Sequence, residues 1–123
     1  MKNTLGKKER LKSRKLIGKL FDEGESIKKF PLRLVFLKID SLSVFSVRAS
    51  FSVPKKKFKK AIDRNRIKRL LREAYRLEKK EFAEVLNSSY VIMITFLGKK
   101  EPVFIEVQER VRELISLFIE RQK

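Results

Sequence analysis

Among 123 residues there is no cysteine and no histidine. Together these absences remove disulfide frameworks, zinc knuckles, thiol nucleophiles and imidazole general bases. A chain without cysteine also suits a reducing compartment. Glycine and proline are scarce, at 4 and 3 residues, and neither gathers into a linker. With no internal repeat and no biased segment beyond short lysine clusters, one domain over residues 1–123 is the expectation. Long apolar runs are missing too. The longest, Tyr90 to Leu97, is strand-sized, well short of the ~18 residues needed to cross a membrane as a helix. The N-terminal stretch MKNTLGKKERLKSRK is basic and lacks the apolar centre of a signal peptide. The chain therefore reads as soluble and cytoplasmic, with no membrane partner.

The last shortage is of acids. Lys plus Arg number 32 against 15 Asp plus Glu, a formal net charge of +17. Self-repulsion of that size opposes compaction, so a polyanionic partner is the economical explanation. Apolar residues make up 42% and recur along the whole chain, which separates it from a disordered basic tail.

The apolar periodicity gives the elements. Ser13 can cap a first helix in which Leu16, Ile17, Leu20 and Phe21 form a stripe, with Leu11 packing just before it. Gly24 stands where a left-handed C-terminal cap is expected. Residues 26–39 read as extended and are interrupted at Pro31, which follows Ile27 and Phe30. Leu32, Leu34 and Phe36 share one face there, and Val35, Leu37 and Ile39 the other. After a turn at Asp40-Ser41, Phe45, Val47, Ala49, Phe51 and Val53 alternate with Ser46, Arg48, Ser50 and Ser52. That is a strand with one packed and one open face. A lysine loop (residues 55–60) leads to a long helix over about 61–83. Asn87-Ser88-Ser89 form a loop before an apolar strand at 90–97, buried on both faces. A turn at 98–102 precedes a final helix carrying Val107, Val111, Leu114, Ile115 and Phe118. The fold class is α+β, a small sandwich in the order α-β-β(-β)-α-β-α.

The long helix carries the chemistry. At 100° per residue, Ile67, Leu70, Leu71, Ala74 and Leu77 fall on one side and must face the core. Opposite lie Asn65, Arg69, Arg72 and Arg76, flanked by Lys68 and Lys79, with Arg64 and Arg66 at the borders and Glu73 the nearby acid. Solvated helices usually mix signs, because each i, i+4 ion pair adds ~0.2–0.5 kcal/mol. This helix forgoes most of those pairs. Arginine forks match phosphate bidentately, and Asn65 can both donate and accept, as a base edge or a 2′-hydroxyl requires. A merely solvated basic face and a membrane-surface helix are the competing readings; the second needs an exposed apolar face that the sheet already claims.

The run Arg64-Asn65-Arg66-Ile67-Lys68-Arg69, preceded by Ser52-Val53-Pro54-Lys55-Lys56 and followed by Leu70-Leu71-Arg72-Glu73, resembles the "RNR" signature of the bacterial ribonuclease P protein component. The likeness extends over nearly the whole chain. It implies a fold like one domain of a ribosomal protein, with a left-handed βαβ crossover against the usual hand. It implies the protein subunit of an endoribonuclease holoenzyme that removes the 5′ leader of precursor tRNA. In that family the RNA subunit cleaves with bound magnesium, no catalytic residue or cofactor site lies on the protein, and no protein partner is required. Arg64, Asn65, Arg66, Lys68, Arg69 and Arg72 inherit the motif's RNA contacts. Arg76 extends them, and Lys55, Lys56, Lys57, Lys59 and Lys60 support them on phosphates. Ile17, Phe21 and Phe36 are the leader-cleft candidates, although Ile17 is aliphatic where the family commonly has an aromatic. Apolar residues at these positions serve a core equally well, and that reading stands beside the cleft. Arg48, Ser50 and Ser52 are secondary candidates for the leader backbone.

The residues independently favour this division of labour. A protein nuclease without histidine or cysteine needs clustered carboxylates, and Asp22, Glu23, Asp40, Asp63 and Glu101 are scattered over different elements. Three other readings remain: a structural RNA-binding protein such as a ribosomal protein, a DNA-binding regulator, and a protein-only nuclease.

Overall fold

The computed structural model describes residues 14–39, 47–80 and 88–122. Their elements are α1 (Arg14–Glu23), β1 (Glu25–Lys29), β2 (Leu32–Ile39), β3 (Val47–Ser52), α2 (Ala61–Glu78), β4 (Ser89–Phe96) and α3 (Phe104–Arg121). This is the expected order. The strands form one four-stranded sheet in the order β1-β2-β4-β3, with β1–β2 and β2–β4 antiparallel and β3–β4 parallel. A parallel pair cannot be joined by a hairpin, and α2 makes the crossover.

β4 is central because its sequence permits it. In SYVIMITF every residue is buried, and the β-branched and aromatic side chains suit a strand packed on both faces. One face carries the main core: Leu32, Leu34 and Phe36 of β2 and Ile92, Ile94 and Phe96 of β4 meet Ile67 and Leu71 of α2 and Val111, Leu114 and Phe118 of α3. Phe118 sits at the centre of this layer, edge-on to Phe36 (4.8 Å between centroids) and to Tyr90 (5.1 Å). The other face is smaller: Leu20 with Leu16 and Ile17 of α1 covers Val35, Leu37, Ile39, Val91 and Met93. Both strand-face assignments for β2 match the alternation in its sequence. Burial also pushes the Tyr90 phenol up from its ordinary pKa, while its hydroxyl donates to Gln122 Oε1 at 2.9 Å.

Several expectations change. Gly24 is not left-handed, since no glycine among the described residues has positive φ. The reason for glycine is crowding: a Cβ there would collide with the Leu20 carbonyl oxygen and lie 3.0 Å from both the Phe36 carbonyl oxygen and Val35 Cγ1. Gly24 lets α1 turn directly into β1 while lying against β2. Phe21 does not join the buried stripe of α1; it is 56% exposed. In α2 the buried residues are Ile67, Leu71, Ala74 and Tyr75, with Leu70 and Leu77 half-buried. The core-facing stripe is rotated toward Tyr75. Ser89 belongs to β4 and not to the preceding loop. Leu11, Ser13, the Asp40-Ser41 turn, Phe45, Ser46, the 81–83 end of the long helix and Asn87 lie outside the described residues.

Helices α2 and α3 are fastened at Glu78, whose carboxylate accepts from Arg112 Nε at 2.9 Å and Gln108 Nε2 at 3.1 Å. The side chain of Glu78 is only 13% exposed. The Arg112 hydrogen bond holds its pKa below the usual carboxylate value, against the opposing effect of burial. A depressed carboxylate stabilises the fold above its unfolded pKa and loses that contribution as the pH falls through the lowered folded value. Glu78→Gln should therefore destabilise the protein near neutral pH by about 1 kcal/mol, or roughly 3–5 °C in melting temperature at this chain length. The gap should close on acidification. Thermal melts followed by circular dichroism across the acid range test this.

Candidate nucleic-acid interface

The lysine loop between β3 and α2 is folded back and pinned. Lys57 and Phe58 amides donate to the Pro54 carbonyl, the Phe58 ring packs on Phe96 at 5.9 Å, and Lys57 Nζ donates to the Leu97 carbonyl. Arg64 completes the hold, its Nη1 donating to the Phe58 and Lys59 carbonyls at 2.8 and 2.9 Å. Lys60, at the N-cap of α2, provides no side-chain cap, so Arg64 organises the entry to the helix. With Phe58 as anchor, Lys55, Lys56, Lys57, Lys59 and Lys60 all stay exposed.

On α2 itself, Asn65, Arg69 and Arg72 are exposed and Lys68 half-buried. The Arg72 guanidinium stands 5.9 Å over the ring of Phe51, which in turn lies edge-on to Tyr75. Two of the expected forks already hold carboxylates. Arg66 Nη1 reaches both Glu101 oxygens at 3.1 Å and lies 3.9 Å from Asp63. Arg76 is paired with Glu73 one turn back, and that bond draws the Glu73 pKa below the ordinary range. Exposed pairs are worth only about 0–1 kcal/mol, and the Arg66 side chain is 53% exposed. A phosphate can take Glu101's place at small cost. The sequence could not reveal Glu101, because a partner thirty-five positions away leaves no local signal. Likewise nothing in the helix pattern pointed to Phe51 beneath Arg72.

The three leader-cleft candidates separate. Ile17 packs half-buried on the α1 face of the sheet, and Phe21 is exposed at the end of the same helix. Phe36 does not join them. It is 3% exposed, on the opposite face, against Phe118, because residues of even number on β2 point toward α2 and α3. Val35 and Leu37 occupy the α1-facing positions instead. Arg48, Ser50 and Ser52 share that face on β3, paired in register with Val91, Met93 and Thr95. On this face β3 lies beyond β4 at the edge of the sheet, so its polar side chains stand beside the apolar cluster that α1 covers.

Residues 5–118 match the ribonuclease P family. The chain belongs to that family. Curated relatives called ribonuclease P protein component include one from Porphyromonas gingivalis, 41% identical over 87 residues, covering 71% of this chain and 64% of the relative. Another, from Chlorobaculum tepidum, is 34% identical over 118 residues, covering 89% of this chain and 77% of that one. The chain thus spans 64% of the length of the Porphyromonas relative. The RNase P protein of Thermotoga maritima superposes with a TM-score of 0.64 at 26% identity, covering 92% of this chain and 96% of that one. The Staphylococcus aureus RNase P protein does so with a TM-score of 0.71 at 20% identity, covering 89% and 94%, a likeness of fold.

Family membership makes the RNR run of α2 the first place to seek contacts, and the geometry sorts its members. The side chains of Asn65, Lys68, Arg69 and Arg72 make no hydrogen bond or ion pair with other described residues. Arg64 is committed to shaping the loop, while Arg66 and Arg76 carry exchangeable acids. Among the described residues no group of three or more Asp or Glu is placed to hold a metal ion, and no helix is long and apolar enough to cross a membrane.

Proposed function

We propose that this chain is the protein subunit that works with the catalytic RNA of ribonuclease P, binding that RNA and the 5′ leader of precursor tRNA. The observation that carries this reading is the row Asn65, Lys68, Arg69 and Arg72. These side chains stand on a helix whose underside is locked into the core, and they make no hydrogen bond or ion pair with other described residues. Like charges held this way repel one another until an outside anion arrives. The lysine loop adds further phosphate contacts beside them.

The protein's share of the reaction is binding. The RNA supplies the magnesium and the hydrolysis, leaving a 5′-phosphate on the mature tRNA. Cations fixed between two polyanions lower the repulsion between precursor and catalytic RNA, which reduces the magnesium needed. Holding the leader favours precursor over product, since only the precursor has one. Residues on α2 and on the α1 face are thus positioning residues, and none of them moves a proton.

The test is reconstitution of precursor cleavage at low magnesium with the catalytic RNA, with and without this protein. Protein-dependent stimulation is expected. Its absence would overturn the assignment, and cleavage by the protein alone would overturn the division of labour. Six to ten phosphate contacts also imply a loss of ~10³–10⁵ in RNA affinity between 50 and 200 mM salt. A titration series in salt measures that slope.

A further inference from the structure

Arg72 differs from the other cations of α2 in what lies beneath it. Its neighbours one turn away are Lys68 and Arg69 on one side and Tyr75 and Arg76 on the other, so no carboxylate is placed to pair with it along the helix. The adjacent Glu73 is taken by Arg76. The guanidinium stands instead over the ring of Phe51, 5.9 Å from the centroid, where the negative face of an aromatic attracts a cation. Phe51 makes a firm base. It is half-buried against the main core, with Tyr75 edge-on at 5.8 Å. Its strand, β3, is an edge of the sheet formed by the described residues, so no further strand flanks the ring. Arg72 is exposed. Its guanidinium thus has the ring on one side and solvent on the other.

We propose that Phe51 and Arg72 form a stacking site for an unpaired base of the catalytic RNA, with the guanidinium as the middle layer. The inference rests on the RNA-binding reading above and names what one member of its row recognises. A guanidinium is planar and weakly hydrated, and unpaired RNA bases stack on such planes. The ring restrains a long side chain in advance, so less rotamer freedom is lost when the base arrives. Lys68, one turn back and without an ion-pair partner among the described residues, supplies charge for an adjoining phosphate. Stacking uses the π-face that every base has, so the site selects an unpaired nucleotide and not a sequence. Phe51 pairs in register with Ile94, whose side chain lies in the core on the α2 side of the sheet. The stack is therefore on the opposite side from α1, next to the surface that faces the catalytic RNA.

The experiment measures binding of the catalytic RNA by the full chain in four versions: unaltered, Phe51→Leu, Arg72→Lys and the double variant. Both substitutions keep the net charge, so the salt slope should be the same in all four. Arg72→Lys should bind about tenfold more weakly, the scale of one lost base stack. Phe51→Leu should lose about threefold. The double variant should be no weaker than Arg72→Lys, because the ring acts through the guanidinium. Acylation of 2′-hydroxyls in the bound RNA should show an unpaired nucleotide quieted by the unaltered protein and released by both single variants. Melting curves check folding, and Arg72→Lys, at an exposed position, carries the test even if Phe51→Leu unfolds. Losses that multiply in the double variant would overturn the stack. So would an Arg72→Lys protein that binds as tightly as the unaltered one, or the lack of any nucleotide released by both variants. Binding of precursor tRNA by the reconstituted holoenzyme is the second arm. A loss confined to that arm would assign the base to the substrate and overturn the proposal. If the unaltered protein does not bind the catalytic RNA, the underlying reading fails; if it binds and all four are equal, the stack alone fails.

Discussion

Replacing Arg69 by glutamate should weaken association with the ribonuclease P RNA by about a hundredfold or more, while the isolated protein melts within a few degrees of the unaltered one. Arg69 is exposed, lies mid-way along α2 and has no ion-pair partner among the described residues. Losing a charge-assisted contact to phosphate costs about 1.5–3 kcal/mol, or roughly 10–150-fold, and a carboxylate in its place adds repulsion from the same phosphate. Stability should hardly move, because surface substitutions away from special features stay within about ±0.5 kcal/mol. In a chain of net charge +17, an added negative charge even relieves self-repulsion. Binding titrations at two salt concentrations, paired with thermal melts, separate the two effects. A variant that bound as tightly as the parent would remove α2 as the RNA-facing surface.

Phe118→Ala should have the largest effect on folding. The ring is fully buried and edge-on to both Phe36 and Tyr90, joining α3 to β2 and β4. Truncating a buried phenylalanine costs about 3–5 kcal/mol through lost transfer energy and the cavity left behind. Loss of each edge contact adds about 0.5–1.5 kcal/mol. Against a total of roughly 5–15 kcal/mol for a domain, the variant should be largely unfolded or close to it when alone. RNA should restore it in part. A partner that binds only the folded state adds about 2.7 kcal/mol at one hundred times its dissociation constant. Urea unfolding with and without RNA measures both terms. An unchanged midpoint without RNA would mean that this layer of the core is not what holds α3 to the sheet.

Much of this architecture could be read from periodicity. The alternation of β3, the apolar run of β4 and the stripe of α3 each point to one answer, and each lies in the structure as expected. The leader-cleft choice at Phe36 failed for a definable reason. Residues 32–37 are apolar on both faces except Arg33, so alternation divides them into two sets without saying which set meets α1. Pairing with β4 and the packing of Phe118 decide it, and both are long-range. The rotation of α2 toward Tyr75 escaped for a similar reason. Leu70 and Leu77 both lie on one side of the true stripe and pull the apparent apolar centre that way, and a tyrosine on the other side reads as a border residue until its ring is seen against Phe51. The engagement of Arg66 by Glu101 depends on where the loop after β4 passes. A glycine after α1 suggests a left-handed helix cap, whereas Gly24 has no positive φ and serves to let two backbones approach.

The central place of β4 matters for how the protein is made. Neither β2 nor β3 has an inner neighbour until residue 96 has been synthesised, although both emerge long before it. The polycationic helix is therefore complete while the surface meant to seat its apolar side is still missing. A ribosome-bound chain at that stage is a loose, strongly basic segment close to abundant ribosomal RNA. Truncation anywhere upstream of Ser89 would leave the product permanently in that condition, with its two halves lacking the strand that joins them.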